Sequence, residues 1–184
     1  MDNETLLRTA FADNILRYLI EENFPRVVKC LDMLTEEQIW YRPNAQSNSI
    51  GNLVLHLAGN LTQWALDGIG GKTFNRARQA EFDADRTKTK AELIGLVQQL
   101  KNDLAPLIQN ISTAELLRVR PVQIYEESGM TILVHITEHF SYHTGQIAYL
   151  TKWLTGHKQR SILDRLRVRV LPIPSFPASS ARIG

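Results

Sequence analysis

The sequence predicts an all-α protein, a four-helix bundle with long connections. Four segments repeat apolar residues at helical spacing, no stretch alternates apolar and polar residues as a half-buried strand would, and no internal repeat divides the chain. The connections are not all short, so a strict up-down-up-down order does not follow.

The first helix runs from Asp2 to Leu34, with Leu6, Leu7, Phe11, Ile15, Tyr18 and Leu19 near helical spacing. Pro25 lies inside it and is expected to kink or divide it, because proline lacks the N–H that a helix interior needs. Thr35-Glu-Glu-Gln38 has the form of a capping box and opens a short turn through Trp40 that Pro43 ends. The second long helix spans Ser49 to Ile69, stopped by Gly68, Gly70 and Gly71. Its apolar arc is far wider than a surface helix needs. Ser49, Asn52, His56, Asn60, Gln63 and Asp67 form one narrow polar strip, which either meets solvent or lines an internal polar site.

Residues 72–90 read as a long surface loop whose charges, among them Arg76, Glu81 and Arg86, form a solvated surface; loops of this length are usually functional or mobile. Thr89-Lys-Ala-Glu92 caps a third helix, marked by Leu93, Leu96, Val97, Leu100, Leu104 and Leu107, that reaches Gln109 unless Pro106 ends it early. Ser112 to Glu115 opens one more short turn, and periodicity does not decide whether 119–127 is extended or a plain connector. The fourth helix begins at Thr131 and stops at Gly156.

Composition narrows the function. At 184 residues, with 43% hydrophobic and 22% charged residues, the chain fits one ordinary domain. Residues 1–156 hold the bundle, and 157–184 form a basic tail with three of the seven prolines and no core periodicity. The tail carries six basic residues and one acidic, which leaves −3 of the net +2 for the rest. No basic stripe interleaved with aromatics crosses the body, so nucleic-acid binding is not expected. No apolar run approaches a membrane span and the first ten residues are too polar for a secretion signal, which points to the cytoplasm. Cys30 is the only cysteine, so any metal site must use nitrogen and oxygen ligands.

Three of the five histidines, His135, His139 and His143, recur at intervals of four on the fourth helix. Residues four apart share a face, with Cβ atoms about 5–6 Å apart, so one adjacent pair can converge on an ion. His135 and His143 would stand about 12 Å apart along the axis and cannot both join it. Ile132, Ile136, Leu150 and Leu154 project near His139, which turns the imidazole stripe inward. If the second and fourth helices are neighbours, His56 adds a third nitrogen to either pair. Three protein ligands with a position left open is a catalytic arrangement, whereas structural zinc is normally closed by four.

The stretches SNSIGNLVLHLAGNLTQW, residues 47–64, and HITEHFSYHTGQIAYL, residues 135–150, resemble the DinB-like (DinB/YfiT) superfamily, and the likeness covers roughly residues 4–154. The resemblance implies a four-helix bundle, usually a homodimer, that holds a divalent metal through His56, His139 and His143, and it sets His135 aside. Zinc or nickel is the first expectation for three imidazoles, with iron or copper also accommodated. Asn60 and Gln146 are then candidates to orient the imidazoles, as Gln63 is, although Gln63 reads more simply as a surface amide. Asp67 and Glu138 are the nearest carboxylates in sequence, and Glu138 projects away from the stripe. The resemblance further implies a thiol-dependent S-transferase or isomerase that joins a low-molecular-weight thiol to a small electrophile. The alternative is a non-catalytic dimeric metal-binding protein with a structural or sensing role. No catalytic residue or substrate contact is readable, and the tail matches nothing in the family.

Overall fold

A computed structural model describes residues 2–156. The basic tail and its His157 lie outside the described residues. The first rod comprises α1 (Asn3–Ile15), a π-wound segment (Leu16–Asn23) and α2 (Phe24–Asp32). Pro25 sits in the first turn of α2. The wider turn before it accommodates the missing N–H: Phe24 N–H reaches Leu19 O, and Asn23 Nδ2 donates to Tyr18 O at 2.8 Å. The expected division at Pro25 is thus a change of winding within one rod.

Helix α3 (Glu36–Trp40) starts at the Thr35 capping box. Helix α4 (Ile50–Leu61) starts at another, in which Ser49 and Asn52 satisfy each other, and continues as a π-wound segment (Thr62–Asp67). Gly71, at φ +68°, terminates the turn that follows. Helices α5 (Arg78–Asp83), α6 (Lys90–Gln109), α7 (Thr113–Leu117) and α8 (Gly129–Thr155) complete the helical set. Pro106 stays inside α6, and Gly156, in the left-handed region, ends α8.

The first rod packs against α6 and α8, and so does α4, which places the first rod and α4 across the core from each other. Phe24 and Phe140 stack at its centre with ring centroids 4.6 Å apart. Leu19, Leu31, Leu61, Leu104, Ile132 and Ile136 fill the remainder and are essentially inaccessible. Burial of this kind supplies most of the stability of helices that would be marginal alone.

Between α7 and α8 the chain forms one hairpin, β1 (Val119–Val122) against β2 (Tyr125–Ser128), in antiparallel register. Alternation over four residues suffices here, with Arg120 and Val122 buried and Val119 and Pro121 exposed. The Arg120 guanidinium donates to Gly68 O at 3.2 Å and pairs with Glu115 at 2.9 Å, which ties the hairpin to the end of the second rod. No helix among the described residues is long and apolar enough to cross a membrane.

Candidate functional site

Every residue of α4 except Leu55 is buried, so Asn52, His56 and Asn60 of the polar strip do not meet solvent, while Gln63 and Asp67 beyond it are half-buried. The cover comes from the segment read as a solvated loop. Helix α5 lies along α4, and Asn52 Nδ2 holds it there by donating to Glu81 O at 3.0 Å and Ala84 O at 2.7 Å. This corrects the expectation for Arg76 and Glu81, whose side chains are 3% and 11% exposed. Arg76 grips Glu81 with two donors, at 2.7 and 2.8 Å, and a fork of this geometry can be taken out of water because each partner satisfies the other.

Glycine at position 59 is what admits the pair. A Cβ there would collide with Glu81 Oε1 and stand 2.9 Å from Arg76 Nε. Gln63 is no isolated surface amide: its Oε1 accepts from Arg76 at 3.1 Å and from Gln123 at 2.7 Å. Gln123 is the first turn residue of the hairpin and holds φ at +58°, a conformation that costs a non-glycine residue energy.

The clasp ends on a histidine. Glu81 Oε2 lies 3.0 Å from His56 Nδ1. An ionised carboxylate at that distance requires Nδ1 to carry the proton, which leaves Nε2 with a bare lone pair. Arg76 Nη2 is also 3.2 Å from Nδ1, but its protons are directed to Glu81 and to His56 O. On α8, His143 Nδ1 donates to Gln146 Oε1 at 2.7 Å, and again Nε2 is bare. His56 Nε2 and His139 Nε2 are 3.2 Å apart. One ligand nitrogen from each of His56, His139 and His143 falls within 4.8 Å of the other two.

This spacing is compatible with a metal ion. Two nitrogens on one tetrahedral ion, each at 2.0–2.1 Å, stand about 3.3 Å apart. The donor set has the matching pattern behind it, since an acceptor fixes the outer nitrogen of two of the three rings. His139 differs: its Nδ1 is buried without a partner among the described residues, as is Asn60 Oδ1 on α4. His135 is not among the converging three: its ring lies tilted on Trp64 at 4.0 Å between centroids and stacks on His139 at 5.5 Å. Phe82 of α5 covers His56 on the other side at 4.8 Å. Glu138 is exposed, and neither it nor Asp67 forms an ion pair among the described residues.

Electrostatics keep the cluster basic in the Lewis sense. Burial, then the neighbouring His143, His56, His135 and Arg76, push His139 down to about 3. Burial likewise lowers His143 and His135 from the ordinary histidine value. Burial is the largest influence on Glu81 and pushes its carboxyl up, but hydrogen bonds from Arg76 and His56 outweigh it and leave it below the usual carboxylate value. At neutral pH the site therefore combines an ionised carboxylate with neutral imidazoles on His139 and His143.

Helical projection could not find Arg76 or Glu81, because it ranks residues along one helix and these arrive from a connection. The one signal on α4 was Gly59 on the turn after His56, where a small residue leaves room for another segment.

Among solved structures the chain is similar to a DinB-like protein from Bacillus subtilis, at 16% identity and a TM-score of 0.59 over 82% of this chain and 94% of that one. It is also similar to a DinB-like protein from Bacillus cereus, at 15% identity and a TM-score of 0.60 over 73% of this chain and 87% of that one. These likenesses show the fold. No curated protein matches the sequence. A family model described as a protein of unknown function, DUF1572, matches residues 14–164. The chain belongs to the DUF1572 family of proteins of unknown function.

Proposed function

We propose that the protein is a divalent-metal-dependent enzyme whose ion is held by His56, His139 and His143, and that it acts as a thiol S-transferase or isomerase on a small electrophile. The observation that carries the metal reading is the convergence of the histidine nitrogens, with His56 Nδ1 fixed by Glu81 and His143 Nδ1 by Gln146. When bound, such an ion lowers the pKa of a coordinated thiol or water and polarises a carbonyl.

The remaining roles belong to the chain. His56, His139 and His143 each turn one nitrogen to the cluster, and no carboxylate or thiol completes the group among the described residues. Glu81 and Arg76 hold His56 in one tautomer and orientation, and Gln146 does the same for His143. Phe82 and the α5 segment exclude water from the His56 side. The thiol chemistry rests on the resemblance to DinB-like transferases and isomerases; the three-imidazole donor set suits zinc, nickel, iron or copper, of which zinc and nickel are the first to test.

The test is elemental analysis of the purified protein, followed by thiol-loss assays across a panel of electrophiles for wild type and His139→Ala. Near-stoichiometric metal with turnover that the variant loses is the expected result. Equal rates in the two proteins, or a metal-free wild type that folds normally, would end the proposal. Stoichiometric metal whose removal lowers Tm, without turnover, would leave the non-catalytic role.

A further inference from the structure

Beside the histidines, α8 and the loop before α4 enclose a cleft of about 580 Å³. Its α8 wall is built from Tyr142, Gly145, Gln146 and Tyr149. Tyr142 and Tyr149 are seven residues apart, two helical turns, so their rings stand on one face about 10.5 Å apart along the axis. Gly145 lies between them. A glycine inside a helix costs about 1 kcal/mol relative to alanine, and here no packing contact accounts for it, because a Cβ at 145 would meet no atom within 4 Å. What the missing side chain provides is room between two tyrosine rings.

The opposite wall is the loop, including Pro43, Gln46 and Asn48. No charged side chain lines the cleft among the described residues, although 22% of the chain is charged. The side-chain amides of Gln46 and Asn48 make no hydrogen bond within the described residues and are available to a ligand. Gln146 joins the cleft to the histidines. Its Oε1 accepts from His143 Nδ1 at 2.7 Å, while its Nε2 has no partner and keeps both protons to donate.

We propose that this cleft binds an uncharged, flat, aromatic-sized molecule bearing a carbonyl-type acceptor, seated over Gly145 between Tyr142 and Tyr149, with its acceptor on Gln146 Nε2. An aromatic body suits the ring faces, and the carbonyl suits a free amide donor. A charged ligand would lose its hydration and meet no counter-ion. The site itself stands on the lining residues. Its role as the place of the electrophilic co-substrate rests on the proposed metal-dependent function.

Benzamide serves as the probe, with benzoate and benzyltrimethylammonium as charged counterparts of similar size, titrated into wild type while the backbone amide resonances of residues 142–149 are followed. Benzamide is expected to shift these resonances and to bind about tenfold or more tightly than either charged probe. Gly145→Leu, which fills the gap from an open position, and Tyr149→Ala, at a side chain 70% exposed, should each weaken benzamide at least about tenfold with metal content and Tm near wild type. Absence of benzamide binding, equal or tighter binding of a charged probe, or unchanged binding in both variants would overturn the proposal. Metal content is read separately, so a metal-free protein that still binds benzamide would refute the metal centre and not the cleft.

Discussion

Glu81 Oε2 stands 3.0 Å from Nδ1 of His56, across 25 positions of sequence, and one face of a helix nearly devoid of solvent contact is shaped to admit it. The carboxylate does two things at once. It fixes the proton on the outer nitrogen of His56, and it neutralises Arg76, which would otherwise be a buried cation without a counter-charge.

Glu81→Gln keeps the shape and removes the charge. Outer partners of this type typically set metal affinity by about 10–100-fold, so the variant should bind zinc weaker by that factor in chelator competition. Glu81→Ala should add a folding defect of roughly 3–5 kcal/mol, read by urea unfolding, because it strands Arg76. Metal affinity that is unchanged in Glu81→Gln would remove the residue from any positioning role.

Gly59→Ala reverses the usual sign of a glycine substitution. In an open helix alanine would stabilise by about 1 kcal/mol. Here the added Cβ meets Glu81 Oε1 and Arg76 Nε, so overpacking of roughly 1–3 kcal/mol is expected. For a chain of this size that corresponds to a fall in Tm of about 2–12 °C, measurable by calorimetry, with weaker metal binding. A raised Tm would show that the clasp gives way at no cost.

Acid should destabilise the metal-free protein in two overlapping ranges. His139 is held down near 3 from an ordinary 6.5, so between those values the unfolded chain binds more protons than the folded one. Its contribution to stability is complete above about 6.5 and is lost as pH falls towards 3. Glu81, also held low, contributes above its ordinary value of 4.5 and loses that contribution as pH drops through its folded value. Tm of the chelated protein should therefore fall from pH 6.5 downward, and His139→Gln should flatten the upper part of that fall. A flat profile between pH 6.5 and 4.5 in wild type would contradict the depressed histidine.

Metal addition should raise stability by linkage, since the three nitrogens converge only in the folded chain. Free ion at one hundred times Kd gives about 2.7 kcal/mol, or a rise in Tm of about 5–11 °C. His139→Ala and His143→Ala should abolish the rise, and His135→Ala should retain it, because His135 packs against Trp64 and His139 and contributes no nitrogen to the converging set.

Period and caps made the four rods legible: Thr35 and Thr89 each cap where the sequence places a capping box, and Gly156 stops α8 as expected. The hairpin was not, because four-residue strands containing Pro121 give too few alternations to separate from a connector. For the histidines, spacing narrowed the set but not the pair; the packing of the His135 ring against Trp64 is a tertiary fact that no helical wheel contains. Residues 72–90 misled for a related reason. Arg76 and Glu81 are individually hydrophilic, and only their mutual fork makes burial tolerable, a property of the pair that a residue-by-residue scale assigns to solvent.

The hydrogen-bond chain that starts at His56 does not stop at Arg76; it continues through Gln63 to Gln123 at the hairpin turn. An engineer seeking a tougher bundle would begin by trimming the two long connections, since loop shortening usually removes little but entropy. In this molecule both cuts would sever the same strut, one at the Arg76 end and one at the Gln123 end. A minimal version of the bundle could keep its four rods and melt higher while its histidines lose the alignment that a binding assay detects.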